Sequence, residues 1–105
     1  MKRFVLALVA AFVIIVTDAA ASNYTRARAA VCYYFRSNCD FAMSVVRCET
    51  GGTYSPYARN GQYWGIFQMG SRERARYGHS WDVWGQARAA HAYYVDAGWS
   101  RWACA

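Results

Sequence analysis

The sequence has few prolines, leucines, lysines and acidic residues. It contains one proline in 105 residues and no internal repeat or low-complexity tract, so we expect no linker between domains. Six acidic residues against twelve lysines and arginines give a formal charge of +6. A chain of this length forms one small domain at most.

A long apolar run is also absent. The longest run covers residues 4–16 and is shorter than the roughly 20 residues that a membrane-spanning helix needs. It follows the basic start Met1-Lys2-Arg3 and precedes the small residues 19–21, which is the pattern of a secretory signal peptide. We therefore predict a signal peptide over residues 1–21 and a secreted protein. An uncleaved membrane anchor is the alternative.

Beyond residue 21 the chain has neither leucine nor lysine, and its ten arginines and five acids give a net charge of +5. Seventeen aromatic residues remain in these 84 positions, so the core must be built from aromatics, Val, Ala and Met. Disorder does not fit this composition. Nucleic acid is a possible partner of a cationic, aromatic-rich chain. Secretion favours an anionic cell-wall polymer or a membrane surface instead. We expect a monomer at the cell wall that binds no nucleic acid and does not insert stably into a membrane.

Four cysteines, Cys32, Cys39, Cys48 and Cys104, can staple a core that is too small to be stable alone. If residues 40–49 form a helix, Cys39 and Cys48 lie about 13 Å apart, too far for a disulfide. The remaining pairings are 32–39 with 48–104, and 32–48 with 39–104. We favour the first, because it fastens the C-terminus. A zinc site is a weaker alternative, since paired CxxC spacings are absent.

Apolar spacing predicts a mainly α-helical protein. One amphipathic helix is expected over residues 23–35, as an N-terminal helical segment within residues 22–39. The main domain, residues 40–105, then opens with a helix that Asp40 caps and that ends at Thr50-Gly51-Gly52. The residues predicted to line the buried face of this helix are Phe41, Val45 and Cys48.

The rest of the chain is expected to form a loop and two further helices. The loop covers residues 53–70, with a short strand or a hairpin around Asn60-Gly61 as the regular structure it can hold. A short helix over residues 71–77 would be capped by Ser71 and ended by Gly78, and a longer helix would cover residues 83–97.

Glu49 is the first candidate for chemistry. A carboxyl group at a helix C-terminus, beside an aromatic-rich loop, has its pKa raised by the helix dipole and by desolvation, as a general acid requires. A glycosidase with two carboxylates needs a partner within roughly 5 to 9.5 Å. Asp40 is too far along the same helix, and Glu73, Asp82 and Asp96 could approach only through the fold. The sequence therefore marks no second catalytic carboxylate.

The loop that follows combines aromatic rings with amides, as sugar-binding grooves do. The residues of this kind are Tyr54, Tyr57, Asn60, Gln62, Tyr63, Trp64 and Gln68. HExxH, P-loop, GxSxG and EF-hand patterns are absent, which removes the common metalloprotease, nucleotide-binding, esterase and calcium-binding motifs. We expect neither a metal nor a cofactor.

Four stretches together resemble the soluble-lytic-transglycosylase-like domain of the lysozyme superfamily. They are VRCETGG at residues 46–52, NGQYWGIFQM at 60–69, QA to YY across 86–94, and GWSRWAC at 98–104. The similarity covers about residues 40–104 and is greatest to the short secreted actinobacterial and phage-borne forms, which are related to resuscitation-promoting factors. Thr50 stands where the family usually has Ser, and the Ala-Tyr-Asn-Ala-Gly motif of larger members is missing.

The resemblance implies a small lysozyme-like fold with a glycan cleft, stapled by disulfides. It implies cleavage of the β-1,4 bond between N-acetylmuramic acid and N-acetylglucosamine in peptidoglycan, with Glu49 as the single acid/base and a 1,6-anhydro product. By the same resemblance Gln68 lines the cleft and Gly65 lets the backbone approach the sugar. Tyr63, Trp64 and one or both of Tyr93 and Tyr94 are the further candidates for sugar binding.

Three alternatives remain open at this stage. The first is a hydrolytic muramidase. The second is a non-catalytic module that binds the cell wall or signals, with little turnover. The third is a cationic, disulfide-stapled antimicrobial protein that acts on membranes.

Overall fold

The computed structural model describes residues 21–105, and the predicted signal peptide lies outside this part apart from Ala21. The described chain is mainly helical. Its elements are α1 (residues 21–35), a 3-10 turn (Arg36–Asn38), α2 (Cys39–Glu49), β1 (Arg59–Asn60), β2 (Tyr63–Trp64), α3 (Ser71–Tyr77), α4 (Val83–Ala97) and a second 3-10 turn (Trp99–Arg101).

Helix α1 packs against the rest of the protein through its small and aromatic side chains. Ala27, Ala30, Val31 and Phe35 are buried, whereas Tyr24 remains 39% exposed. The spacing that predicted this helix joins Tyr24, Ala27, Val31 and Tyr34, and it is correct for the buried Ala27 and Val31. The ring of Phe35 also lies in the core. The N-terminal segment shares one core with the residues that follow it.

A disulfide between Cys32 and Cys39 closes the turn from α1 to α2, and a second joins Cys48 to Cys104. This is the pairing that the sequence favoured. The first bond spans seven residues and the second 56. The long bond ties the end of α2 to the last residues of the chain.

The prediction for the start and the buried face of α2 was wrong in two respects. Asn38 occupies the N-cap, without a side-chain capping bond, and Asp40 lies in the first turn, where it pairs with Arg28 at 3.3 Å on the surface. Phe41 is 47% exposed and Cys48 is exposed. Val45 is buried as predicted, and the other buried residues of this helix are Cys39, Ala42, Met43 and Val46.

The hairpin forms where it was expected. Strands β1 and β2 pair antiparallel, with Arg59 opposite Trp64 and Asn60 opposite Tyr63. Gly61 supplies a positive φ of 60° at the turn. A further bridge joins Trp64 to Met69 and folds the intervening residues into a tight loop.

Helices α3 and α4 match the predicted ranges. Gly78 ends α3 with a left-handed φ of 77°. The N-cap of α3 is Gly70 and not Ser71, which is instead the first helical residue. The side chain of Gln62 accepts a hydrogen bond from the Ser71 hydroxyl at 3.2 Å, so the start of α3 is tied to the hairpin turn.

The core lies between α1, α2, α4 and the loop after β2. Phe35 stacks on Phe67 and on Trp99, while Trp102 donates its indole N–H to the carbonyl of Phe67 at 2.9 Å. Among residues 21–105, no helix combines the length and the apolar character needed to cross a membrane. The buried hydrophobic residues are Ala27, Ala30, Val31, Phe35, Cys39, Ala42, Met43, Val45, Val46, Ile66, Phe67, Met69, Val83, Ala87, Ala89, Ala90 and Trp102.

Candidate active site

A groove of about 630 Å³ runs between the end of α2, the hairpin, the start of α3 and the C-terminal segment. Glu49 lies on one wall, and polar and aromatic side chains make up most of the rest. The residues that line it are Glu49, Asn60, Gln62, Tyr63, Gln68, Met69, Gly70, Ser71, Arg72, Glu73, Tyr93, Arg101, Trp102 and Ala103. The groove has the size of a small-molecule site.

The position of Glu49 is fixed by the turn that ends α2. The hydroxyl of Thr50 donates to the carbonyl of Val46 at 2.8 Å and accepts from the backbone N–H of Tyr54 at 2.9 Å. Gly52 closes the helix with a hydrogen bond from its N–H to the carbonyl of Arg47 at 2.8 Å. The hydroxyl that Thr50 shares with Ser is therefore the group that this turn uses.

The surroundings of Glu49 favour its protonated form. Partial burial raises the pKa of its carboxyl group, and the backbone of Cys104 acts in the opposite direction with a smaller effect. Its place as the last residue of α2, at the negative end of the helix dipole, acts in the same direction as burial. A carboxyl group with a raised pKa can hold a proton and donate it to a ligand in the groove.

Gln68 lines the same groove as Glu49 and is held in an unusual backbone conformation. Its φ is +48°, which is uncommon outside glycine and is typical of functional positions. Its side-chain nitrogen donates to the carbonyls of Ala58 at 3.0 Å and Gly65 at 2.9 Å. The amide oxygen accepts no hydrogen bond from the described residues, so it is available to a hydroxyl group of a ligand.

Gly65 does not line the groove. A Cβ atom at this position would lie 2.5 Å from Oε1 of Gln86 and 2.8 Å from Nε2 of His79, and its φ is +85°. The glycine is thus required by the interior of the protein, which replaces the predicted approach of backbone to sugar as the reason for it. Gln86 is fully buried and supports the loop, because it accepts from the N–H of Ile66 and donates to the carbonyl of Pro56, both at 2.9 Å.

Of the four aromatic candidates, two lie at the groove. Tyr63 is 46% exposed and Tyr93 is half-buried, and both are lining residues. Burial and the charge of Glu73 raise the pKa of the Tyr93 hydroxyl, and Arg101 partly offsets this. Tyr93 therefore keeps its proton and can donate a hydrogen bond.

The other two aromatic candidates lie elsewhere. Trp64 stacks on Trp81 with ring centroids 4.9 Å apart, and the guanidinium of Arg74 lies 3.8 Å from its ring centroid. Tyr94 packs against Trp99 and accepts a hydrogen bond from Asn38 at 3.4 Å. Both side chains stabilise the fold beside the groove and do not line it.

Glu73 is a groove residue that the sequence did not single out. It lies in the first turn of α3 and lines the same groove as Glu49, although 24 positions separate the two in the chain. Its position directly after the NGQYWGIFQM stretch could have raised its rank among the acids. The side chain of Gln62 accepts hydrogen bonds from Ser71 at the start of the helix that carries Glu73, and no local pattern specifies that contact.

No group of three or more His, Cys, Asp or Glu side chains in the part of the chain that the structure describes could hold a metal ion. Within the same residues, each buried side-chain N or O atom has a hydrogen-bond partner. The groove is thus built from carboxyl, amide, hydroxyl and guanidinium groups together with aromatic rings. Such a set can transfer a proton to a polar ligand and form hydrogen bonds with it.

Comparison of the chain with protein-family models, with curated proteins and with solved structures finds no match in any of the three.

Proposed function

We propose that this protein is a secreted peptidoglycan lytic transglycosylase with a lysozyme-like fold. The observation that carries the proposal is the position of Glu49, whose carboxyl pKa is raised, in a groove lined also by Gln68, Tyr63 and Tyr93. The glycan strand lies in this groove, and the enzyme acts as a monomer at the cell wall. The net charge of +5 beyond residue 21 suits an anionic wall.

Glu49 performs both proton transfers. As an acid it protonates the glycosidic oxygen between N-acetylmuramic acid and N-acetylglucosamine, and the bond from that oxygen to C1 breaks. The resulting carboxylate accepts the proton of the muramoyl 6-hydroxyl group as its oxygen bonds to C1. The products are a 1,6-anhydromuramoyl end and a free 4-hydroxyl group on the other fragment. One carboxyl group suffices, because the substrate supplies the nucleophile from within the same sugar.

The other groove residues orient the strand. The amide oxygen of Gln68 accepts from a sugar hydroxyl group, and the exposed ring of Tyr63 packs against an apolar face of a sugar. The Tyr93 hydroxyl, which keeps its proton, donates to an oxygen of the strand. These contacts hold C1 and the 6-hydroxyl group in place beside Glu49.

Hydrolytic muramidase is the second candidate, because Glu73 lines the same groove as Glu49. A second carboxylate across the scissile bond can activate a water molecule or form a covalent intermediate. In that reaction the water adds to C1, and the new end is a reducing sugar. The two reactions therefore differ in product and in their need for Glu73.

Mass spectrometry of the fragments released from purified peptidoglycan tests both candidates. We expect fragments that are one water lighter than hydrolysis products. Glu49→Gln should abolish them, at a loss of at least about a hundredfold in rate, because the variant has no proton to transfer. Glu73→Gln should leave the mass of the product unchanged. The matched control is Asp40→Asn, which changes an exposed carboxylate that does not line the groove and that, within residues 21–105, forms an ion pair with Arg28.

If the wild type gave hydrated reducing ends and Glu73→Gln gave none, the protein would be a hydrolytic muramidase and not a lytic transglycosylase. Release of fragments by Glu49→Gln at the wild-type rate would exclude Glu49 as the acid and contradict both. If the folded wild-type protein released no fragments from several wall types, both enzymes would be excluded. The non-catalytic wall-binding module would then be the remaining hypothesis.

A further inference from the structure

A second cavity, of about 370 Å³, adjoins the groove between α3 and α4. Four residues line both spaces: Arg72, Glu73, Tyr93 and Arg101. The second cavity is therefore a side branch of the groove. A linear polymer that lies in the groove and carries a substituent could extend the substituent into this branch.

Positive charge predominates in the side cavity. Three arginines, Arg72, Arg76 and Arg101, line it together with the carboxylates of Glu73 and Asp96. Within residues 21–105 none of the three arginines forms an ion pair with an acid of the protein. Their guanidinium groups keep donors for a ligand, and the planar fork of arginine matches a carboxylate.

One of the two carboxylates is already engaged. Asp96 accepts a hydrogen bond from the hydroxyl of Tyr77 at 2.9 Å, which fixes it at the edge of the cavity. The guanidinium of Arg76 lies 5.5 Å from the ring centroid of Tyr77. Tyr77 in turn stacks on Tyr93 with ring centroids 5.3 Å apart, so the floor of the side cavity is continuous with the aromatic wall of the groove.

We propose that the side cavity binds a carboxylate-bearing peptide branch of the glycan strand. The inference rests on the proposed function, since the strand must lie in the groove for its branch to reach the arginines. Muramic acid is the sugar that carries the acidic peptide and also the sugar whose glycosidic bond is cleaved. A peptide attached beside the scissile bond thus leaves the strand close to Arg72 and Arg101, and its carboxylates bind farther in, at Arg76. The enzyme selects strands that retain their peptides.

Binding of glycan strands to a Glu49→Gln protein tests this proposal, because the variant is expected to bind strands without cleaving them. The probes are fluorescently labelled glycan strands with their stem peptides and the same strands after an amidase has removed the peptides. We expect the peptide-bearing strand to bind about tenfold more tightly, as one or two charge-assisted contacts in a solvated cavity provide. Adding Arg76→Gln, which changes a residue of the side cavity alone, should reduce this preference to less than about threefold.

Arg26→Gln is the matched control, because Arg26 is exposed on α1 and lines neither cavity. Equal affinity for the two strands, or an Arg76→Gln protein that behaves like Arg26→Gln, would overturn the inference while the proposed function stands. Failure to bind either strand would overturn both. If a phosphate-rich wall polymer displaced the strand but a free acidic peptide did not, the arginines would be a binding site for phosphate groups. That result would refute the binding of peptide carboxylates.

Discussion

The hydroxyl group of Thr50 shows how much one side chain contributes to the site. It donates to the carbonyl of Val46 and accepts from the N–H of Tyr54, so it joins the end of α2 to the loop beyond Glu49. Thr50 itself is only 8% exposed. The partly buried N–H of Tyr54 loses its hydrogen bond when this acceptor is removed.

Thr50→Val should therefore lower the free energy of unfolding by about 1 to 3 kcal/mol, because the methyl group fills the space of the hydroxyl but leaves the N–H of Tyr54 unpaired. Urea denaturation measures this loss. Thr50→Ser keeps both hydrogen bonds and is the control, with a change that we expect to be smaller. A valine variant as stable as the serine variant would show that the hydroxyl does not hold the turn.

Residues also differ in how far the sequence revealed their roles. Glu49, Gln68 and Tyr63 belong to contiguous motifs, and the structure places all three at one groove. The reason for Gly65 was hidden, because the atoms that exclude a side chain there belong to His79 and Gln86, far along the chain. A motif identifies a position, but the neighbours that restrict it come from the fold.

At the scale of elements, Gln86 couples α4 to the loop that carries Gln68. It is fully buried and bonds both the N–H of Ile66 and the carbonyl of Pro56. We expect Gln86→Leu to lower the free energy of unfolding by about 3 kcal/mol, because both backbone groups lose their partner. Thermal or urea denaturation measures the loss.

Val95→Ala, which changes a side chain 66% exposed on the same helix, serves as the control and should shift stability by less than about 0.5 kcal/mol. If Gln86→Leu shifted stability no more than this control, the bridge between α4 and the loop would be unnecessary for the fold.

The partly buried His79, which lies beside Gly65, also gives the stability of the protein a pH dependence. Burial, with a smaller contribution from Arg74, lowers the pKa of His79 to about 4 from an ordinary value of 6.5. The unfolded chain therefore binds the proton more readily than the folded protein does between these two values. Stability from neutral His79 is complete above about pH 6.5 and is lost as the pH falls towards about 4.

Urea denaturation at several pH values checks this expectation. His79→Gln, which cannot take up a proton, should lose less stability than the wild type between about pH 6.5 and about pH 4. Parallel pH profiles for the two proteins would contradict a neutral, buried His79.

Element boundaries were predicted well where local signals are strong. Gly78 ends α3, Gly61 turns the hairpin, and α4 covers the predicted range, because glycine at positive φ is a local requirement. The cap at Asp40 and the buried face with Phe41 were wrong. The structure begins α2 at Cys39 and buries Ala42, Met43 and Val46 in place of Phe41 and Cys48. Which face is buried depends on the core residues that this helix meets, and these lie elsewhere in the chain.

At the scale of the whole molecule, the Cys48–Cys104 disulfide connects stability to the site. It spans 56 residues and holds Ala103 and Cys104 against the wall that contains Glu49. Replacing both cysteines by serine should lower the free energy of unfolding by about 4 kcal/mol from chain entropy. We expect glycan cleavage to fall as well, since the C-terminal wall of the groove is released.

Serine at both Cys32 and Cys39 is the matched control, because that bond spans seven residues and its loss is expected to be about 2.5 kcal/mol. It lies away from the groove and should leave cleavage by the folded protein unchanged. Equal loss of cleavage in the two variants would show that the effect comes from stability alone.

The sequence by itself determined the helical character, marked Glu49 as a candidate and excluded a Cys39–Cys48 disulfide, because each follows from local spacing or from chain distance. The structure chose between the two remaining pairings. Tertiary structure decided which side chains share the groove. It brought Glu73, Tyr93 and Arg101 to Glu49 and placed Trp64 and Tyr94 outside. Such choices depend on how α3, α4 and the C-terminal segment pack, and packing is set by contacts between residues that are distant in the chain.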